Sequence, residues 1–119
     1  MEKVIGIGGI FFKVRDVTRM TAWYRENLGI CAEDGHADFV WGEGGRTVWS
    51  LFPADTDYFG PSGSGWMINY RVASLDRILE QLRQNGVTIE KVEGHDYGRF
   101  AWITDPEGNR IELWEPKNG

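Results

Sequence analysis

The sequence predicts an α+β fold of two tandem βαβββ modules, each forming a curved mixed sheet with one helix on its outer face. Three observations predict it. The strand–helix order occurs twice in register: Val14 and Val72 lie 58 positions apart, as do Asp16 and Ser74, and Gly29 and Gly86 lie 57 apart. Each half carries an amphipathic stretch that opens on a capping side chain and closes on glycine. The chain ends in DPEGNRIELWEP (105–116), a tight turn followed by strict polar–apolar alternation.

Residues 4–14 (VIGIGGIFFKV) are β-branched and aromatic and predict the first strand. Asp16 caps a helix whose apolar stripe is Val17, Met20, Tyr24 and Leu28, and Gly29 stops it. A weak strand is expected at 30–34, with firmer ones at 37–42 and 46–52 joined by the Glu43-Gly44-Gly45 turn. Residues 53–65 lack periodicity and read as a linker. The order then repeats with a strand at 66–73 and a helix capped by Ser74. Its stripe is Leu75, Ile78, Leu79 and Leu82, and it ends at Gly86. Strands at 87–92, 97–104 and 109–115 complete the second half. The chain reads as one domain over 1–119, with module one at about 1–55, the linker at about 53–65 and module two at about 64–119.

Composition narrows the function classes. A net charge of −5 disfavours nucleic acid and anionic membranes, which demand a basic face. Lys13 and Arg15 interrupt the longest apolar run, so neither a membrane span nor a secretory signal is expected. A lone Cys31 points to a reducing cytoplasm and reads as a small buried apolar residue. Gly6, Gly8 and Gly9 lead into a strand instead of a helix N-terminus, so they read as sites of close packing and not as a phosphate loop. The acidic pairs Glu33/Asp34 and Asp55/Asp57 read as solvated loops.

The helix end AWYRENLGI (22–30) and the run DPEGNRIELWEP, in this order and separation, resemble the vicinal oxygen chelate superfamily, which includes glyoxalase I, bleomycin-resistance proteins and extradiol dioxygenases. The resemblance covers nearly the whole chain. It implies a homodimer and, in the enzymes, a divalent metal held by histidines and carboxylates on the concave faces. The positions it implies for those ligands fall on Gly9, on Trp49 or Ser50, on Met67 and on Glu112. Glycine has no donor and a thioether suits hard ions poorly, so only Glu112 remains a ligand. No cofactor is therefore expected, with a divalent metal as the alternative, and the metal-free bleomycin-resistance branch is the nearer likeness.

Strand alternation places Ile111 and Leu113 in the core and turns Arg110, Glu112 and Trp114 toward the inner face. The repeat adds Phe11, Lys13, Asn69 and Arg71 to that face, and the remaining indoles bring in Trp49 and Trp102. The alternative for the indoles is a dimer interface. Of the two histidines, His36 reads as an exposed loop residue, whereas His95 is a candidate base at the cavity rim. The leading expectation is a small-molecule binder. Glu112 would face a cationic group, the indoles would stack on the ligand, and Lys13, Asn69 and Arg71 would orient its polar atoms. The alternative is a lyase, isomerase or dioxygenase in which Glu112 is the base or part of a rearranged metal site. Arg71 or Arg110 would then stabilise an enolate.

Overall fold

A computed structural model describes residues 1–30, 32–42, 44–61 and 63–117. The expectations for Cys31 and for the Glu43 position of its turn lie outside the described residues. In chain order the elements are β1 (Val4–Val14), α1 (Val17–Leu28), β2 (His36–Val40), β3 (Arg46–Pro53), β4 (Trp66–Val72), α2 (Leu75–Gln84), β5 (Lys91–His95), β6 (Gly98–Thr104) and β7 (Arg110–Pro116). The strands form one open, curved, seven-stranded sheet in the order β2-β3-β1-β4-β7-β6-β5.

Both helices start where a side chain replaces a missing backbone acceptor. Asp16 accepts from the N–H of Arg19 at 3.0 Å, and Ser74 from that of Arg77 at 3.3 Å. At the far end of α1, Gly29 adopts φ 67°, the left-handed conformation that closes a helix. The turn before β7 is held by the Asp105 carboxylate, which accepts from the N–H of Glu107 and of Asn109, both at 2.9 Å, and from the Asn109 amide at 3.0 Å. Those Asn109 bonds hold the exposed Asp105 carboxyl below its ordinary pKa.

The modules meet edge to edge. β1 and β4 pair antiparallel at the centre, and each pairs in parallel with the last strand of its own module, β3 or β7. Paired residues share a face, so the register decides what looks inward. One inward row reads Asp38, Val48, Gly9, Asn69, Glu112 and Trp102 across β2, β3, β1, β4, β7 and β6. The outward face of module two carries Val72, Ala101, Ile103 and Leu113, closed by Leu75, Ile78 and Leu79 of α2. A second apolar cluster of Phe11, Phe59, Met67 and Trp102 lies on the inward face. It anchors the sheet where the site is built.

The structure corrects four details. The weak strand at 30–34 reduces to a single bridge between Glu33 and His36. The strand expected at 87–92 starts later, at Lys91, because Val87 and Ile89 pack against the α2 cluster and the Val87 N–H bonds to the Leu82 carbonyl at 2.9 Å. On α1 the buried residue is Thr21, and Leu28 is 63% exposed. The stretch at 53–65 folds over the inward face, and Phe59 within it is fully buried. No helix among the described residues is long and apolar enough to cross a membrane.

Candidate functional site

Glu112 is 2% exposed, yet its oxygens are well partnered. Oε1 accepts from the Asn69 amide at 2.6 Å, and Oε2 accepts from the Trp102 indole at 2.9 Å and from the Tyr58 hydroxyl in a short hydrogen bond. β7 aims the carboxyl inward by its register, β4 and β6 bring Asn69 and Trp102 beside it, and the 53–65 segment lowers Tyr58 onto it. Burial raises the Glu112 pKa above the ordinary carboxylate range, against the three donors and the nearby Arg110 charge, which lower it. Burial and the same carboxylate push the Tyr58 hydroxyl up as well, so Tyr58 stays a donor at any ordinary pH.

Above this group lies a cavity of about 450 Å³. Aromatic walls come from Phe11, Phe52, Phe100 and Trp114, and polar groups from Ser50, Asn69 and Glu112. Both modules contribute, and the glycines of β1 make the room. A Cβ on Gly8 would sit 2.2 Å from the Asn69 Oδ1 and 2.8 Å from the Trp114 ring. The expected role of these glycines in close packing is what Gly8 performs.

The residues singled out from sequence divide into groups. Phe11, Asn69, Glu112 and Trp114 line the cavity together, and Trp102 supports it from below through Glu112. Arg110 holds the Tyr58 carbonyl at 2.8 Å, so it positions the segment that covers the site. Lys13 lies over the Phe59 ring at 5.5 Å. Arg71 sits against the rings of Trp114 and Trp41, at 5.7 and 5.9 Å, in an adjoining cavity. His95 is on the inward face but outside the cavity lining; it bonds Glu93 at 2.9 Å and stacks on Tyr97 at 5.1 Å. Trp49 is not brought into the site. Its neighbours are Phe12 and the α1 residue Tyr24, because β3 alternation turns Ser50 inward instead. Of the pair, Ser50 is the one that faces the cavity.

Two contributors were missed. His36 is exposed, as expected, but it opens β2 instead of sitting in a loop, and it lines the cavity, with Nδ1 2.9 Å from the Ser50 hydroxyl and Nε2 3.5 Å from Asp38. The alternation His36, Asp38, Val40 was the available signal, had the strand been started one residue earlier. Tyr58 was missed because nothing in an aperiodic segment says which side chain will point down.

The metal positions implied by the resemblance do not fit an ion. Gly9 offers no side chain, Met67 is packed among Phe11, Phe59 and Trp102, Ser50 is engaged by His36, and both Glu112 oxygens accept from side chains. Among the described residues, no three or more His, Cys, Asp or Glu side chains cluster closely enough to hold an ion.

The shifted carboxyl gives stability a signature in pH. Because the folded state holds the Glu112 proton more tightly than the unfolded one, this group's contribution is complete below about pH 4.5. It is lost as pH rises through the folded value. Urea melts of the wild type and Glu112→Gln across pH 4–8 should show this as a fall in the wild type relative to the variant. Tyr58→Phe removes a donor to the carboxylate, so in that variant the fall should come at higher pH.

The sequence profile of the Glyoxalase/Bleomycin resistance protein/Dioxygenase superfamily matches residues 6–113. No curated protein matches the chain. Among solved structures, methylmalonyl-CoA epimerase from Mycobacterium tuberculosis is 24% identical with a TM-score of 0.67, covering 98% of this chain and 91% of that one. A Streptomyces coelicolor methylmalonyl-CoA epimerase variant, in complex with 2-nitronate-propionyl-CoA, is 16% identical with a TM-score of 0.73 and 96% coverage of each chain. A superfamily member from Vibrio splendidus 12B01 is 13% identical with a TM-score of 0.59, covering 97% of this chain and 99% of that one. At these identities the likeness establishes the fold. With the profile spanning nearly the whole sequence, this chain belongs to the glyoxalase/bleomycin resistance protein/dioxygenase superfamily.

Proposed function

We propose that this protein binds a small organic molecule in the cavity above Glu112, without a metal ion. The observation that carries the reading is a buried carboxyl on the floor of an aromatic-walled cavity. About 450 Å³ suits a ligand of metabolite size. Ring faces and a carboxylate both favour a cationic or strongly hydrogen-bond-donating group, and the rings add about 1 kcal/mol per good contact. Calorimetric titration with benzylamine and tryptamine tests this. Saturable binding is expected, weakened about tenfold by Glu112→Gln, the loss of one charge-assisted contact. Failure of both amines to bind the wild-type protein sinks the cationic reading. The protein is proposed to act as a cytoplasmic homodimer, which sedimentation at micromolar concentration checks by giving twice the 13.6 kDa chain mass.

A second reading rests on the raised Glu112 carboxyl. A carboxylate moved toward neutral pH by burial is suited to take a proton from carbon, and the superfamily's epimerases include the neighbours in fold. Deuterium exchange at the α-carbon of methylmalonyl-CoA, followed by NMR, separates the two. Exchange that Glu112→Gln abolishes makes the protein an enzyme. Amine binding without exchange into this acid leaves it a binder.

A further inference from the structure

The first-module wall of the cavity carries a hydroxyl, an imidazole and a carboxylate in one chain of contacts. Ser50 and His36 are cross-strand partners on β3 and β2, and Asp38 is the next residue of β2 on the same side. Strand alternation therefore turns all three inward, and all three line the cavity. His36 Nδ1 lies 2.9 Å from the Ser50 hydroxyl, and Nε2 lies 3.5 Å from Asp38 Oδ1. Ser50 is buried, whereas the imidazole is exposed at its edge of the sheet. Neither reading of the Glu112 carboxyl gives this group a role.

We infer that Ser50 is a nucleophile toward activated carboxylic esters, with His36 as its base. A carboxylate beside Nε2 favours the proton on that nitrogen, which leaves the Nδ1 lone pair to accept from the Ser50 hydroxyl. When Ser50 Oγ attacks an ester carbonyl carbon, its proton moves to Nδ1, and Asp38 steadies the imidazolium that forms. The ring stands with Nδ1 toward the serine, the reverse of the usual triad order, but either nitrogen can take the proton. The C–O bond to the leaving group then breaks, the leaving oxygen takes the proton from His36, and acyl-Ser50 remains. Water, deprotonated by His36, releases the acid and restores the hydroxyl. The exposed imidazole gives that water access.

The fold also sets the substrate class. β3 lies inside the sheet, between β2 and β1, so its backbone donors are paired and build no oxyanion hole. The leaving group must therefore depart readily, as an aryloxide does. Phe11, Val48 and Phe52 give its ring an apolar wall beside Ser50. An aryl ester of a small acid is the class that fits.

The test is 4-nitrophenyl acetate with the whole chain, following nitrophenolate release by absorbance and the acyl adduct by intact mass and peptide mapping. A burst of about one nitrophenolate per chain is expected, with the acetyl group on Ser50. A fluorophosphonate ester should label the same oxygen with loss of fluoride. Ser50→Ala should abolish both adducts. His36→Gln should slow acylation about a hundredfold or more, the usual contribution of a general base. Asp38→Asn should slow it too, with Asp38→Glu retaining most of the wild-type rate. A thermal melt checks that each variant folds, and the wild-type labelling decides without any of them. Ser50 unlabelled in the wild type, acetylation confined to lysine side chains, or a His36→Gln variant as fast as wild type overturns the inference. Benzylamine binding without acylation of Ser50 overturns the nucleophile and keeps the binding reading. Acylation of Ser50 without benzylamine binding does the reverse.

Discussion

Replacing Glu112 with alanine should lower stability by about 2–3 kcal/mol, a large loss for one side chain. The charge itself is not what is lost, since a buried carboxylate with a raised pKa costs the folded state energy at neutral pH. What the truncation removes is the shared acceptor of the Tyr58 hydroxyl, the Asn69 amide and the Trp102 indole. Each buried donor left without a partner costs about 1–3 kcal/mol, and water entering from the open cavity offsets part of the sum. Glu112→Gln supplies the contrast. Its oxygen can accept from Tyr58 and Trp102, and its amide can donate to Asn69 once that amide turns over, satisfying the Oδ1 that now has no partner. The glutamine variant should therefore stay within about 1 kcal/mol of wild type at pH 7, and urea melts of the two variants check the pair. Equal losses in both would mean that the charge, and not the shared acceptor, holds the floor together.

A methyl group at position 8 should do comparable damage from the opposite side. The Cβ of Gly8→Ala would lie 2.2 Å from Asn69 Oδ1, 2.8 Å from the Trp114 ring and 2.9 Å from Arg71 Cγ. None of the three can swing clear, being 2%, 4% and 7% exposed respectively. Overpacking of this kind costs about 1–3 kcal/mol, and here it also pushes Asn69 off Glu112. The expected result is a loss of about 2–3 kcal/mol in urea melts, with amine binding abolished because Gly8 lines the cavity. Gly29→Ala is the control, because nothing lies within 4 Å of its added Cβ. Any stability it loses comes from its φ of 67°, and it should leave amine binding intact.

Features written into local residue patterns were legible from the sequence. Asp16, Ser74 and the Asp105 turn carry their own hydrogen bonds within a few residues, so their roles follow from spacing alone. Alternation in β7 placed Glu112 and Trp114 on the inward face with Leu113 behind them. Features fixed by distant packing were not legible. Whether Trp49 or Ser50 turns inward depends on a one-residue register that β1 enforces through Phe11. Tyr58 reaches Glu112 across 54 residues of chain, from a stretch with no periodicity to read. Val87 and Ile89 have strand composition, yet their burial against α2 outweighs it.

The antiparallel seam between β1 and β4 relates the modules by an approximate two-fold. It exchanges Gly9 with Met67, Phe11 with Asn69 and, through the parallel partners of those strands, Ser50 with Glu112. The backbone is thus close to a palindrome and the side chains upon it are not. A hydroxyl stands where the other half has a carboxylate, and a bare glycine where it has a thioether. A guest turned end over end would meet different chemistry at each wall. The repeat therefore does not offer two equivalent poses, and a symmetric scaffold acquires handedness toward its contents.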